Sequence, residues 1–434
     1  MEFIKNYSQK LNETLYSGVH KSGLRVFVMP KNSYSKSYAI FGTHFGSIDN
    51  KFTAPGESEP TILPDGVAHF LEHKLFEQPD GGNVFAEYAK YGANANAYTS
   101  FNMTGYLFEC TSHVIENLEI LLDFVCSPYF TDENVEKEQG IIGQEIKMYD
   151  DDADWRCMIN FLSAMYVNHP VNRDIAGSVE SIAKIDKELL YKCYRNFYNM
   201  SNMVLFVIGE VTPESVGDCV EKVNTNYVIL PALPKRDYGT EPNTVAKHKI
   251  TQQLDVSVPS FMIGFKDTDT GYDGAALLKK NIEYSVITEI AFGKTSEIYN
   301  ELYNKGLIMG FLDYESECEK DYGFCAVSGE SNSPDEVYDI VLKGMDKLKK
   351  DGIKEEDFNR LKKAFFGRAV KSFDKISSVA HGFLANTFNN IGLFEYIDVV
   401  EEVTLADINK RLRENFTEDT AVMSVVEPIQ NKEV

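Results

Sequence analysis

The ten residues Val67-Ala-His-Phe-Leu-Glu-His-Lys-Leu-Phe76 set two histidines and a glutamate into a run that is otherwise almost wholly apolar. Read as a helix, the run places His69 and His73 one turn apart on one face with Glu72 beside them, because neighbours on a helix surface lie three and four positions apart. A helix that is apolar on nearly every side is a buried helix, so these polar groups are carried into an interior. Buried polar groups need partners. A divalent metal ion would satisfy both imidazoles at once and give the glutamate a water to hold.

His-x-x-Glu-His is the inverted form of the zinc-peptidase motif. The chain has 8 histidines in 434 residues, and His69/His73 is the only pair spaced i, i+4; a pair of hydrogen-bonded core histidines would leave that spacing unexplained. A further donor is offered by Val135 to Met148. On a helix, Glu138, Ile141, Ile142 and Glu145 share one face, while Lys137, Gln144 and Lys147 face away. Burying a carboxylate on an apolar stripe is costly or drives it to its neutral form, unless a cation lies nearby. Zinc held by two histidines accepts a third ligand and leaves a fourth position for water. The chemistry these residues support is metal-assisted hydrolysis: the metal acidifies a water, and Glu72 takes its proton as it attacks a polarised amide carbonyl. His44, in a strand, is expected to be a packed residue, since the ligand set is complete without it.

A length of 434 residues implies two to four domains. Lys plus Arg number 43 against 66 for Asp plus Glu, a net charge of −23, which argues against nucleic acid or an anionic membrane as partner and tolerates cationic peptides. No apolar run is long enough to span a bilayer. Met1 to Lys10 lacks the apolar core and cleavage site of a signal peptide, so a cytoplasmic location is expected. Seven scattered cysteines without Cys-x-x-Cys are expected to be reduced and mostly buried.

In chain order, Gly23–Pro30 and Lys36–Gly46 read as strands and as antiparallel neighbours, and the loop from Thr53 to Gly66 delivers the chain to the histidine helix, with Pro64-Asp65-Gly66 as its start signal. After a helix over Gly82–Tyr91 comes Gly92-Ala-Asn-Ala-Asn-Ala-Tyr-Thr-Ser100. Ala and Asn are poor strand formers; a sheet edge that receives a peptide as an added strand calls for such uncrowded residues. Helices follow at 114–125, 156–167 and 187–197, then a buried strand at 202–209 and a Pro-rich linker, 230–243. The closing helix 405–415 and strand 421–426 echo 187–197 and 203–208 at an offset of about 220 residues, an internal duplication in which only the first copy carries the histidines. The expected class is α+β, with two homologous α/β-sandwich halves at 1–229 and 244–434.

Together, Gly66-Val-Ala-His-Phe-Leu-Glu-His73, Gly92-x-x-x-Asn-Ala-x-Thr-Ser100, Glu138-x-x-x-Ile142-x-x-Glu145, Gly177 with the Asn202-Met203 strand, and the duplicated half resemble the pitrilysin/insulinase family of inverted-motif zinc peptidases, in its bacterial members. The resemblance implies a LuxS/processing-peptidase-like metallohydrolase fold. It implies His69, His73 and Glu145 as Zn2+ ligands, Glu72 as general base, Glu138 as a carboxylate behind a ligating histidine, and Asn94, Asn96, Ala97 and Tyr98 on a strand that holds an extended peptide substrate. One departure stands out. Members that act alone, or the second subunit of those that do not, resemble one another in an Arg and a Tyr seven positions apart in the C-terminal half. Here Tyr303 stands in the Arg position, and Ile308 or Met309, five or six positions on, stands where the Tyr is expected. Such donors are worth roughly 3–4 kcal/mol in the transition state. The lone chain is therefore expected to be a poor catalyst, completed as a heterodimer by a homologous chain with Arg and Tyr but no zinc motif, around a closed chamber. The competing readings are a non-catalytic peptide-binding or scaffold subunit of the same fold, for which buried histidines and carboxylates have no use, and a maturation peptidase for one precursor peptide.

Overall fold

The computed structural model describes residues 1–79, 81–222 and 230–429. Its strands are β1 (Ile4–Ser8), β2 (Glu13–Val19), β3 (Arg25–Pro30), β4 (Ser37–Thr43), β5 (Lys51–Thr53), β6 (Thr61–Ile62), β7 (Asn94–Thr99), β8 (Thr104–Cys110), β9 (Met203–Gly209), β10 (Lys235–Arg236), β11 (Lys249–Leu254), β12 (Ser260–Lys266), β13 (Asp313–Cys318), β14 (Gly323–Glu330) and β15 (Ala421–Pro428). They form a seven-stranded sheet ordered β1-β2-β3-β9-β4-β8-β7, a five-stranded sheet ordered β11-β15-β12-β14-β13, and a small sheet β10-β5-β6.

The duplication is visible in the connectivity. β3 runs parallel to β9 as β11 does to β15, and every later pair in β9-β4-β8-β7 and in β15-β12-β14-β13 is antiparallel. Helix, 3-10 turn and strand recur in step: Lys187–Phe197, Met200–Asn202 and β9 in the first copy, Leu405–Asn415, Glu418–Thr420 and β15 in the second.

One expectation is corrected. β3 and β4 are not neighbours: β9 lies between them, parallel to β3 and antiparallel to β4. All seven residues of β9 are buried, and a strand with no polar side takes a central place in a sheet. The compact units are built from discontinuous stretches of the chain. One comprises Met1–Ile146, Asp174–Tyr238 and Val370–Phe388, the other Lys147–Arg173, Gly239–Ala369 and Asn389–Val434; the expected boundary at 229 lies outside the described residues.

The physical reason is that each sheet has a second face to cover, and the cover comes from a distant segment. In the first unit, helix Ile376–Phe388 sets Phe383 against Phe27 and Phe206, at 4.7 and 4.5 Å between ring centroids, and Leu384 into the space that a side chain on Gly42 would occupy. In the second, helix Ala153–Met165 sets Phe161 over Gly264 in the same way. Gly42 pairs with Val204 and Gly264 with Val422, equivalent positions of the two copies.

The first ten residues, a polar start by composition, enter a β1–β2 hairpin that extends the first sheet. The Pro-rich stretch 230–243 is fastened in place: β10 pairs with β5, and the Arg236 guanidinium donates to Asp49 at 2.7 Å. All seven cysteines are free thiols, six of them buried. Among the described residues, no helix is long and apolar enough to cross a membrane.

Candidate metal centre

The histidine helix is Val67–Lys74. It starts from Gly66, whose φ of 92° lies in the left-handed region and whose missing side chain lets the Ala176 carbonyl oxygen approach to 2.4 Å of where a Cβ would stand. Only glycine meets both demands at little cost. Gly66→Ala is expected to destabilise the chain by about 1–3 kcal/mol, read as a lower denaturant midpoint at unchanged m-value; an unchanged midpoint would remove this turn from the supports of the helix.

Ala68, Phe70 and Leu71 have no exposed surface, and His69 and Glu72 are buried beside them. The facing helix, Asp132–Asp150, is longer than the 135–148 run expected. It buries Val135, Glu138, Ile142 and Ile146, with Glu145 half-buried. Ile141, placed on that stripe from the sequence, is 47% exposed; a stripe stepping 135, 138, 142, 146 leaves position 141 on its outer margin.

These two helices bring the expected ligands together. Glu145 Oε1 lies 3.7 Å from His69 Nε2, and its Oε2 lies 3.5 Å from His73 Nε2. One donor atom from each of the three residues falls within 4.8 Å of the others, the one such group of three or more among the described residues. The separations are too long for hydrogen bonds. The three donor groups are near enough to one another to converge on a single ion. His73 Nδ1 lies 3.1 Å from Glu138 Oε1, so with the proton on Nδ1 the lone pair of Nε2 faces Glu145.

Electrostatics separate the two imidazoles. Burial, reinforced by neighbouring His73, pushes the imidazole of His69 down to about 4, which keeps it in the neutral form that binds metal. Burial also lowers His73, but its bond to Glu138 and the charges of Glu72, Glu138 and Glu145 outweigh this and raise it. The Glu72 carboxyl is pushed up by burial, opposed by a hydrogen bond from Thr99.

That bond identifies a residue the sequence reading missed. Thr99 Oγ1 donates to Glu72 Oε2 at 2.6 Å. Thr99 ends β7, which among the described residues pairs only with β8 and is therefore the open edge of the seven-stranded sheet. Alternation along the strand puts Ala95, Ala97 and Thr99 on one face, and Thr99 shows that this face meets the histidine helix. Of the residues expected to hold peptide, Asn94 and Asn96 are exposed. The Ala97 N–H donates to the Asn96 side chain at 2.9 Å, so it lies outside the β7–β8 ladder. Tyr98 turns inward, its ring against Gly105 and 5.1 Å from His381. His44 stacks on Phe388 at 4.9 Å and is outside the ligand group, as expected. Tyr303 is exposed and stacks on Tyr299; Ile308 is buried and Met309 exposed.

Residues 59–179 match a family described as insulinase (peptidase family M16), and residues 184–365 match one described as the peptidase M16 inactive domain. The first match contains His69, Glu72, His73 and Glu145, and the second contains none of the four. The chain is 40% identical over 427 residues, 97% of its length and 98% of the relative's, to a Bacillus subtilis (strain 168) protein named uncharacterized zinc protease YmfH. Among solved structures it is similar to one described as an M16-like peptidase from Alicyclobacillus acidocaldarius, with a TM-score of 0.90, 33% identity and 99% of each chain covered. It shares its fold with pitrilysin at a TM-score of 0.76 and 15% identity, over 99% of this chain and 47% of that one.

Proposed function

Because the chain belongs to the insulinase family of peptidases, peptidase family M16, we propose that it is a zinc metallopeptidase that hydrolyses peptides or unfolded segments, with His69, His73 and Glu145 holding the ion. The observation that carries this reading is the convergence of these three donors from two helices, with Glu72 alongside. Zinc held there would supply Lewis acidity to the scissile carbonyl and to a water.

The remaining work falls to the chain's own side chains. Thr99 fixes Oε2 of Glu72, and the carboxylate takes a proton from the attacking water as the water oxygen bonds to the carbonyl carbon. The same proton then passes to the departing amide nitrogen as the C–N bond breaks. Glu138 keeps the proton of His73 on Nδ1. The edge strand β7 receives the substrate as an added strand, with the Ala97 N–H exchanging its Asn96 bond for one to the peptide.

Purified chain should hold about one zinc ion and cleave a quenched fluorogenic peptide in a chelator-sensitive way; a chain that takes up no zinc would end the proposal. Ala97→Pro probes the strand. Proline is tolerated at an edge where the N–H is not part of the ladder, so the fold should hold while peptide affinity falls by about tenfold, the worth of one hydrogen bond. Anisotropy of a labelled peptide reads this on the Glu72→Gln background, and undiminished binding would move the substrate off β7.

The second half of the proposal is a partner. The chain has Tyr303 and Ile308 or Met309 where an Arg and a Tyr are expected, and its fold covers 47% of pitrilysin. Both support a heterodimer with a homologous chain that supplies the missing pair. Mixing the two should raise turnover by two orders of magnitude or more, on the order of what one oxyanion donor contributes; equal turnover with and without the second chain would refute the pairing.

A further inference from the structure

We propose that Lys74 is a positioning residue of the metal centre: its ammonium group, sealed behind the site, holds Glu138 so that Glu138 can hold the Nδ1 side of His73. This rests on the zinc ligand set proposed above and extends it to a residue outside that set.

Lys74 follows His73 directly, and its side chain is 0% exposed. A buried ammonium is expensive unless it is paired and hydrogen-bonded, and a leucine or methionine at this helix position would pack without that cost. Its partners explain its presence. Nζ donates to Glu77 Oε2 at 2.6 Å and to the Asn134 carbonyl at 3.1 Å, and lies 3.7 Å from Glu138 Oε2. Glu138 is itself buried, with its other oxygen, Oε1, on His73 Nδ1. The two oxygens of one carboxylate are thus divided between a cation and a ligating imidazole.

Without Lys74, Glu138 would be a buried anion with Glu72 and Glu145 close by and only an imidazole to steady it. Like-charge repulsion would push it away from His73. With Lys74 behind it, Glu138 has a fixed place, and the orientation of His73 follows. The chain of charges reaches solvent through Glu77, whose Oε1 lies 3.3 Å from Nζ of the exposed Lys137.

The test is zinc affinity of the full chain, measured by competition with a chromophoric chelator at one pH and ionic strength, with thermal melting of the metal-free protein alongside. Lys74→Met and Glu138→Gln should each weaken zinc binding by about 10- to 100-fold, the usual effect of losing a group that orients a ligand. The double variant should be no more than about threefold worse than the weaker single one, since both changes break the same link. A general packing role for Lys74 would instead make the losses multiply. Wild-type affinity in Lys74→Met, or multiplied losses in the double variant, would overturn the assignment. Should Lys74→Met fail to fold, Lys74→Gln keeps polar partners for Glu77 and Asn134 while removing the charge, and the same loss is expected. Glu145→Gln in the same assay separates the two readings. If it binds zinc like the wild type, the ligand set and this proposal both fall; if it loses zinc and Lys74→Met does not, only the role of Lys74 falls.

Discussion

Glu72→Gln is expected to keep zinc and to lower peptide turnover by 10²- to 10⁴-fold, the contribution of a positioned general base. Glutamine has the size of glutamate and retains an oxygen to accept the Thr99 hydroxyl, whose bond to Glu72 is 2.6 Å long. Glu72 is not one of the three converging donors, so metal content should not change. Stability gives an independent check. Burial raises the carboxyl of Glu72 above its ordinary value, which means that the fold disfavours its charged form, and that stability is lost as pH rises through the raised value. The uncharged amide removes that cost, and metal-free Glu72→Gln should melt at or above the wild-type temperature at neutral pH. Full turnover in this variant would place the base elsewhere.

Glu145→Gln is expected to weaken zinc binding by roughly 100-fold or more and to abolish hydrolysis with it, because an amide oxygen is a poor substitute for a carboxylate in a site otherwise made of neutral imidazoles. The two histidines lie on one short helix, and Glu145 is the donor contributed by the other helix, 3.5 and 3.7 Å from the two Nε2 atoms. Zinc content after desalting reads the outcome. Full retention of the ion would remove Glu145 from the ligand set and leave the facing helix without its stated role.

The two variants separate by design. Glu72→Gln should give a protein that holds metal and binds peptide without cutting it, and Glu145→Gln one that loses the metal first. A shared phenotype with loss of zinc in both would indicate that Glu72 supports the site structurally.

Much of this centre was legible in the chain. His69, Glu72 and His73 are fixed relative to one another by helical periodicity, and Glu138 and Glu145 lie two turns apart on the facing helix for the same reason. The small residues of β7 marked an edge, and the echo of 187–197 and 203–208 at 405–415 and 421–426 announced the duplication. Local patterns resolve what local geometry sets. Thr99 and Lys74 escaped because their roles depend on groups across space: a threonine in a strand and a lysine near the end of a helix have ordinary uses, and only the packing of β7 and of helix Asp132–Asp150 against the histidine helix gives them carboxylate partners.

The sequence by itself determined the donor types, their spacing within each helix and the two-copy plan, because covalent connectivity and a 3.6-residue period leave little freedom over a few turns. Tertiary structure decided which strands are neighbours, that β9 separates β3 from β4, and that helices Ala153–Met165 and Ile376–Phe388 each cover a sheet outside their own contiguous span. Those outcomes depend on burying both faces of a central sheet, and a chain meets that demand with whichever apolar helix fits the gap over a glycine, however far along the sequence it lies.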